Sequence, residues 1–263
     1  MKILSRIKDK LSRKSAENDV ELVRLDEVDS TNSFLHSYEE DSDKLLTVVT
    51  TDYQTAGRGQ GTNHWESRRG ENLLFSVCTH PSWVPVGRQF LLAEAGALAL
   101  KEVLDTYTEG ITLKWPNDIY WHDKKLSGTL IETSVTSRGL RRCIYGVGLN
   151  VNQTEFPADL PNPVSLAQIL GHPVDSDLLL RQIIAAFKKY YELTREGAYS
   201  DIAALYYESL YRRKGYHRFR DKEGDFDEAI FGVEDDGRLL LHDREGRIRE
   251  YVFKEVEFVP EEA

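Results

Sequence analysis

The sequence predicts an α+β protein: a mixed, mainly antiparallel sheet flanked by helices, followed by a small C-terminal β-barrel. Short apolar runs return at brief intervals between residues 111 and 152, one long helical pattern fills 87–107, and from Gly215 onward the chain breaks into short strand-like runs. Short links imply antiparallel neighbours, so the pattern is a meander rather than the βαβ alternation of a dinucleotide fold.

The elements follow in order. Met1 to Lys14 sets Ile3, Leu4, Ile7 and Leu11 among Lys2, Arg6, Lys8, Lys10, Arg13 and Lys14, a basic amphipathic helix in an N-terminal extension over 1–20. It lacks the continuous apolar core of a signal peptide. A helix is expected over 31–40, with Ser30-Thr31-Asn32 as its N-cap before Phe34-Leu35, and strands over 45–54 and Leu73 to Thr79. Phe90-Leu91-Leu92-Ala93, Leu98-Ala99-Leu100 and Val103-Leu104 recur at helical spacing among strong helix formers, which makes 87–107 a buried helix. Strands follow at 111–115, 119–122, 125–134 and 141–152. After the Pro-rich connector Phe156 to Pro163, amphipathic helices are expected at 176–195 and 198–213. Turns at Lys222-Glu223-Gly224, Asp235-Asp236-Gly237 and Arg244-Glu245-Gly246 then punctuate the barrel. The domains are thus 21–213 and 214–263.

Bulk properties narrow the function classes. The chain has 263 residues and a net charge of −10, which disfavours nucleic acid or an anionic membrane as a general partner. Residues 215–263 carry 8 Lys/Arg against 15 Asp/Glu, the wrong sign for a barrel that binds a phosphate backbone. No run reaches the length of a membrane span, and a cytoplasmic enzyme is expected. Cys78 and Cys143 fall in apolar runs and are expected as buried free thiols without metal spacing.

Four segments carry chemistry. Gln54-Thr55-Ala56-Gly57-Arg58-Gly59-Gln60-Gly61 follows a strand and sets one guanidinium among three glycines. Such a loop suits an anion, although a Gly-rich segment after a strand is more often a simple turn; no Gly-Lys-Ser/Thr makes it a P-loop. Lys114-Trp115-Pro116-Asn117-Asp118 ends a strand in turn chemistry, and Lys125-Leu126-Ser127-Gly128 opens the next strand with a cation three residues from a strand glycine. Gly146-Val147-Gly148-Leu149-Asn150-Val151-Asn152 bares one face of a strand, for packing or for a ligand.

Together these segments, in this order, resemble the biotin protein ligase family over roughly residues 20–260. Gly57-Arg58-Gly59-Gln60 matches its biotin loop, and Lys114 to Asp118 with Lys125 to Gly128 its second motif. Gly146 to Val151 matches its Gly-x-Gly-x-Asn-Val strand, and Ser30-Thr31-Asn32 matches too. Family members often carry a basic residue just after Gly-Arg-Gly; here Gln60-Gly61-Thr62 follows, leaving the clamp to Arg58 and backbone donors.

The resemblance implies a class II synthetase-like catalytic domain and an SH3-like C-terminal domain that closes the site or holds ATP. It implies ATP-dependent activation of biotin to biotinyl-5′-AMP and transfer to a lysine of a biotin carboxyl carrier protein, with Mg²⁺ carried by the phosphates. Lys125 and Arg58 are the implied catalytic residues. Ser30, Thr31, Asn32, Gln54, Gly57, Gly59, Gln60 and Gly128 join them in holding biotin, while Trp65, Lys114, Asn117, Asp118 and Asn150 face ATP. Asp118 is also a candidate metal contact. With only about 20 residues ahead of the catalytic part, a monofunctional ligase without a DNA-binding domain is expected, as monomer or homodimer. A lipoate or octanoate ligase shares the Lys-x-Asn-Asp and Lys-x-x-Gly logic; Trp115-Pro116 and the Gly-Arg-Gly loop favour biotin.

Overall fold

The structure is a computed structural model and describes residues 19–41, 43–137 and 139–260. The basic helix expected over Met1 to Lys14 lies outside the described residues. Elements run β1 (Val20–Leu25), α1 (Thr31–Ser37), β2 (Leu46–Thr51), β3 (Leu73–Thr79), α2 (Phe90–Leu104), β4 (Ile111–Lys114), β5 (Asp118–Trp121), β6 (Lys124–Thr136) and β7 (Gly139–Leu149). Then come α3 (Leu166–Leu170), α4 (Ser176–Arg195), α5 (Tyr199–Glu208), β8 (His217–Asp221), β9 (Gly224–Val233), β10 (Leu239–His242), β11 (Ile248–Tyr251) and β12 (Glu257–Phe258).

The first seven strands form one sheet in the order β1-β2-β3-β7-β6-β5-β4. Every pairing in it is antiparallel except β1 with β2. Strand β1, absent from the sequence reading, alternates half-buried and exposed positions and is carried by its pairing with the fully buried β2.

Strand β3 shows how the sheet divides its two faces. All seven of its residues are buried, because both faces are covered. Phe75 and Val77 join the main core, where Phe75 meets the ring of Phe187 on α4 edge-on at 6.3 Å. Cys78 belongs instead to a small cluster with Leu35 of α1, Val49 and Ile144. Helices α2, α4 and α5 therefore cover one face, and α1 covers part of the other. What α1 leaves open on that second face becomes the site.

Several boundaries differ from the sequence reading for local reasons. The helix expected over 87–107 splits into a 3₁₀ turn at Val86–Arg88 and α2. The one expected over 198–213 stops at Glu208, because the next residues leave the helix to pair with β4: Leu113 donates to the Ser209 carbonyl, and Tyr211 donates to that of Leu113. Ser30 does occupy the N-cap of α1, but its side chain makes no capping bond, and α1 ends at Ser37. Helix α3 was not foreseen; a capping box of Ser165 with Gln168 nucleates this single turn.

The last five strands form an antiparallel sheet in the order β11-β10-β9-β8-β12. It shares a continuous core with the larger sheet, since Phe219, Ile230, Leu239 and Leu241 join the same buried cluster. The Trp115 indole also donates to the Gly237 carbonyl at 2.9 Å, and Arg88 pairs with Asp235 at 2.8 Å. Among the described residues, no helix is long and apolar enough to cross a membrane.

Candidate active site

The open face holds a cavity of about 690 Å³. Its floor is the β6–β7 ladder, where Gly128 sits opposite Gly148 and Leu130 opposite Gly146. The bare face of β7 has two occupants. A Cβ on Gly146 would lie 2.2 Å from Asn32 Oδ1, and one on Gly148 would lie 2.2 Å from Cε2 of Trp65. The glycines thus admit a polar side chain from α1 and an indole from the loop. The indole Nε1 is buried without an acceptor among the described residues, a donor left for a ligand.

One wall is built from Ser30-Thr31-Asn32. All three are about 3% exposed. Ser76 ties the set together: its hydroxyl lies 2.6 Å from both Thr31 Oγ1 and Asn32 Oδ1. The Gln54 carbonyl oxygen accepts from the Thr31 amide at 2.8 Å and from its hydroxyl at 3.1 Å. Asn32 Nδ2 donates to Glu132 at 2.8 Å and to the Leu130 carbonyl at 3.2 Å. Rotamers locked this way present fixed donors and acceptors to a polar ligand.

The glycine loop is a short hairpin rather than an open wrap. Gly59 donates to the Asn63 carbonyl at 2.8 Å, and Trp65 donates to that of Gly57 at 3.1 Å. Gly57 does not line the cavity: a Cβ there would strike the Trp65 carbonyl oxygen at 2.3 Å, so this glycine serves the turn. Arg58 lines the cavity while its guanidinium is held by Glu132 at 2.9 Å. Burial pushes the Glu132 carboxyl up, but hydrogen bonds from Asn32 and Arg58 and the Arg58 charge outweigh it and hold it below the ordinary carboxylate range.

The opposite wall carries the second motif. Asn117 clips its turn onto β6 through Nδ2, which donates to the Thr129 carbonyl at 2.6 Å. Lys125 Nζ stands 2.8 Å from Asp118 Oδ1, an ion pair without hydrogen-bond alignment. The Lys125 backbone is clamped by the Pro-rich connector: its N–H donates to the Asn162 carbonyl at 2.8 Å, and its own carbonyl accepts from Val164 at 3.0 Å. Asn150 is set behind that clamp. It is buried, lies away from the cavity lining, and donates through Nδ2 to the Val164 carbonyl at 3.1 Å. Asn150, expected to face ATP, here supports the segment that holds Lys125. Lys114 Nζ donates to the Tyr120 hydroxyl at 2.9 Å and lies over the Phe258 ring at 5.4 Å.

Apart from Gly57 and Asn150, every residue singled out from sequence lines this one cavity. Others were missed. Glu132 and Ser76 left a signal: Ser76 is a lone hydroxyl in the apolar run Leu73 to Val77, and Glu132 shares the parity of Gly128 and Leu130 on β6. Phe253, Lys254, Val256, Glu257 and Phe258 bring the C-terminal sheet into the lining, and no motif announced them.

Among the described residues, one trio has metal-ligand spacing: Glu40, Cys78 and His80, outside this cavity. Arg142 already fills it, donating through Nε to Cys78 Sγ at 3.0 Å and pairing with Glu40. Burial pushes the Cys78 thiol up to about 12, as it does Cys143, and both cysteines are free.

The site thus sets cations and polar clips around one cavity. A family model for the biotin/lipoate A/B protein ligase family matches residues 25–150. The bifunctional ligase/repressor BirA of Bacillus spizizenii is 32% identical over 231 residues, covering 86% of this chain and 70% of that protein. A biotin protein ligase from Aquifex aeolicus, in complex with biotin and ATP, superposes with a TM-score of 0.75 at 27% identity, covering 90% of this chain and 97% of its own. The Leishmania major biotin protein ligase in complex with biotinyl-5-AMP shares the fold, with a TM-score of 0.58 at 21% identity over 90% of this chain and 100% of its own. The chain belongs to the biotin protein ligase branch of the biotin/lipoate protein ligase family.

Proposed function

We propose that this protein condenses biotin with ATP to give biotinyl-5′-AMP and pyrophosphate, then passes the biotinyl group to a lysine of a biotin carboxyl carrier protein. The observation that carries this reading is the single cavity, in which the locked Ser30-Thr31-Asn32-Gln54 wall faces the Lys125–Asp118 pair across a glycine floor. The ligase names of the relatives support the substrates. They give the lipoate alternative less support.

Each group then has a task. The Thr31, Asn32 and Gln54 set, with Ser30, holds the ureido ring, whose donors and acceptors need fixed partners. A carboxylate oxygen of biotin attacks the α-phosphorus of ATP and pyrophosphate leaves. Lys125 stabilises the charge shared between carboxylate and phosphate oxygens, which requires its ammonium to turn from Asp118 toward substrate. Arg58, held by Glu132, keeps the loop in place, and Trp65 offers its face and free indole N–H to the nucleotide. In the second step the carrier lysine's amine attacks the acyl carbon and AMP leaves; no protein nucleophile is needed.

Mg²⁺ fits this donor set as a companion of the triphosphate. Among the described residues the lining offers only Asp118 and Glu257 as carboxylates, too few for an all-protein cage and sufficient for an ion held chiefly by phosphates and water. When bound, it would neutralise phosphate charge, with Asp118 the residue placed to meet it. Residues 21–213 form the catalytic domain in this reading, and 214–263 close it. Pyrophosphate exchange into ATP tests the assignment: biotin should drive it while lipoate and octanoate do not. Exchange driven by lipoate alone would overturn it.

A further inference from the structure

Among the described residues, four lysine and arginine side chains line the cavity, Arg58, Lys114, Lys125 and Lys254. Three are already engaged: Arg58 with Glu132, Lys125 with Asp118, and Lys114 with the Tyr120 hydroxyl. Of these four, Lys254 alone has no carboxylate or hydrogen-bond acceptor among the described residues; its ammonium lies 5.7 Å from the Phe253 ring. A triphosphate brings several negative charges, so the uncommitted ammonium is the one available without breaking an existing pair.

Its placement is specific. Lys254 sits in the turn between β11 and β12, where Glu255 donates to the Val252 carbonyl at 3.1 Å and Val252 donates to Glu255 Oε2 at 3.0 Å. Its φ of +73° is a left-handed backbone that disfavours every residue except glycine, yet a lysine stands there. That backbone aims the side chain across the gap at Gly61, itself at φ +65°. A Cβ on Gly61 would lie 2.4 Å from Lys254 Nζ, so the loop leaves that space to the ammonium. Within the loop itself no lysine or arginine follows Arg58 before Trp65, and His64 is the one other ionisable side chain there.

We propose that Lys254 is a nucleotide-binding residue: the C-terminal sheet supplies, across the domain junction, the second phosphate-facing cation that the loop lacks. It meets a phosphate of ATP, and later that of the acyl-adenylate, and thereby latches the Gly61 end of the loop to the C-terminal sheet. Phosphate is favoured over the biotin carboxylate by position. Lys254 and Phe258 line the cavity from the same C-terminal sheet, and Lys114 of the second motif lies over the Phe258 ring, whereas the Ser30-Thr31-Asn32 wall is built from α1 and β3. This rests on the assignment of ATP to the cavity.

Lys254→Gly tests it with the least risk to folding, since glycine suits the left-handed backbone. Lys254→Met removes the charge at near-constant length, and Lys254→Arg restores it. Lys254→Gly and Lys254→Met should raise both KM for ATP and the Kd for ATP measured by calorimetry about tenfold, with kcat and KM for biotin near wild type. Lys254→Arg should recover most of the affinity. Added potassium chloride should weaken ATP binding to the wild type more than to Lys254→Met. ATP affinity unchanged within twofold in both Lys254→Gly and Lys254→Met would overturn the proposal. Should the wild type bind ATP yet show no biotin-dependent pyrophosphate release, the ligase reading fails, and the calorimetric Kd still decides Lys254.

Discussion

Lys125 and Arg58 are cations held in reserve by protein carboxylates, and the two pairings have different consequences. Asp118 keeps Lys125 inside the cavity at 2.8 Å, with nothing but the ion pair to break when substrate arrives. Removing that ammonium should slow pyrophosphate release by Lys125→Ala at least about a hundredfold while circular dichroism stays native; release at the wild-type rate would remove Lys125 from the chemistry. Glu132 instead anchors Arg58 through a carboxylate that Asn32 also uses. Glu132→Gln should therefore loosen the loop, seen as faster proteolysis within residues 58–64 and faster escape of adenylate, with slower loss of the first step. Because the Glu132 carboxyl is held below its ordinary range, the clip is intact above that range and fails as pH falls through the lowered value, so adenylate retention should worsen in acid. Lys125 and Arg58 were legible because motif and chemistry coincide in a few adjacent residues. Glu132 and Ser76 were not, since their partners lie 100 and 44 residues away, and a lone charge or hydroxyl in a strand names no partner.

At the scale of elements, β7 decides how much room the site has. Its alternation bares one face at Gly146 and Gly148, and both gaps are filled by protein before any ligand enters. Gly146→Ala would press a methyl into Asn32 and should cost about 1–3 kcal/mol in urea unfolding along with biotin affinity. Gly87→Ala, at a glycine with open space around it and no positive φ, should leave both unchanged. The sequence alone left packing and ligand contact open for β7; the glycines make room for Asn32 and Trp65 and also line the cavity. Strands β3 to β7 were readable because apolar runs and short links suffice to imply a meander. Strand β1 and helix α3 were hidden: the first is half exposed and gains its order from pairing with β2, and the second is a single capped turn.

Across the whole molecule, a shared core and polar contacts join the two sheets around the cavity. Trp115 reaches to Gly237, Arg88 to Asp235, and the stretch after α5 pairs with β4 beside the second motif. Glu94 of α2 is buried at this junction, near Asp235 and Tyr206. Burial raises its carboxyl to about 8, and the Asp235 charge adds to the effect. A carboxyl that keeps its proton in the fold stabilises the protein fully below its ordinary value of 4.5, and the contribution is lost as pH rises through 8. Glu94→Gln should accordingly flatten the fall in stability between about pH 5 and pH 8 by about 2–4 kcal/mol in urea titrations. The reach of the C-terminal sheet into the site, through Phe253 to Phe258, follows from how the sheets dock; pattern and composition place the strands but not their neighbours.

Whether this cavity makes an acyl-adenylate and delivers it to a carrier lysine is read by intact-mass spectrometry of a biotin carboxyl carrier domain incubated with the protein, biotin, ATP and magnesium. One added biotinyl group on a single lysine is expected, lost with Lys125→Ala and absent without ATP. A carrier left unmodified by folded wild-type protein, or labelled equally with Lys125→Ala, would contradict it.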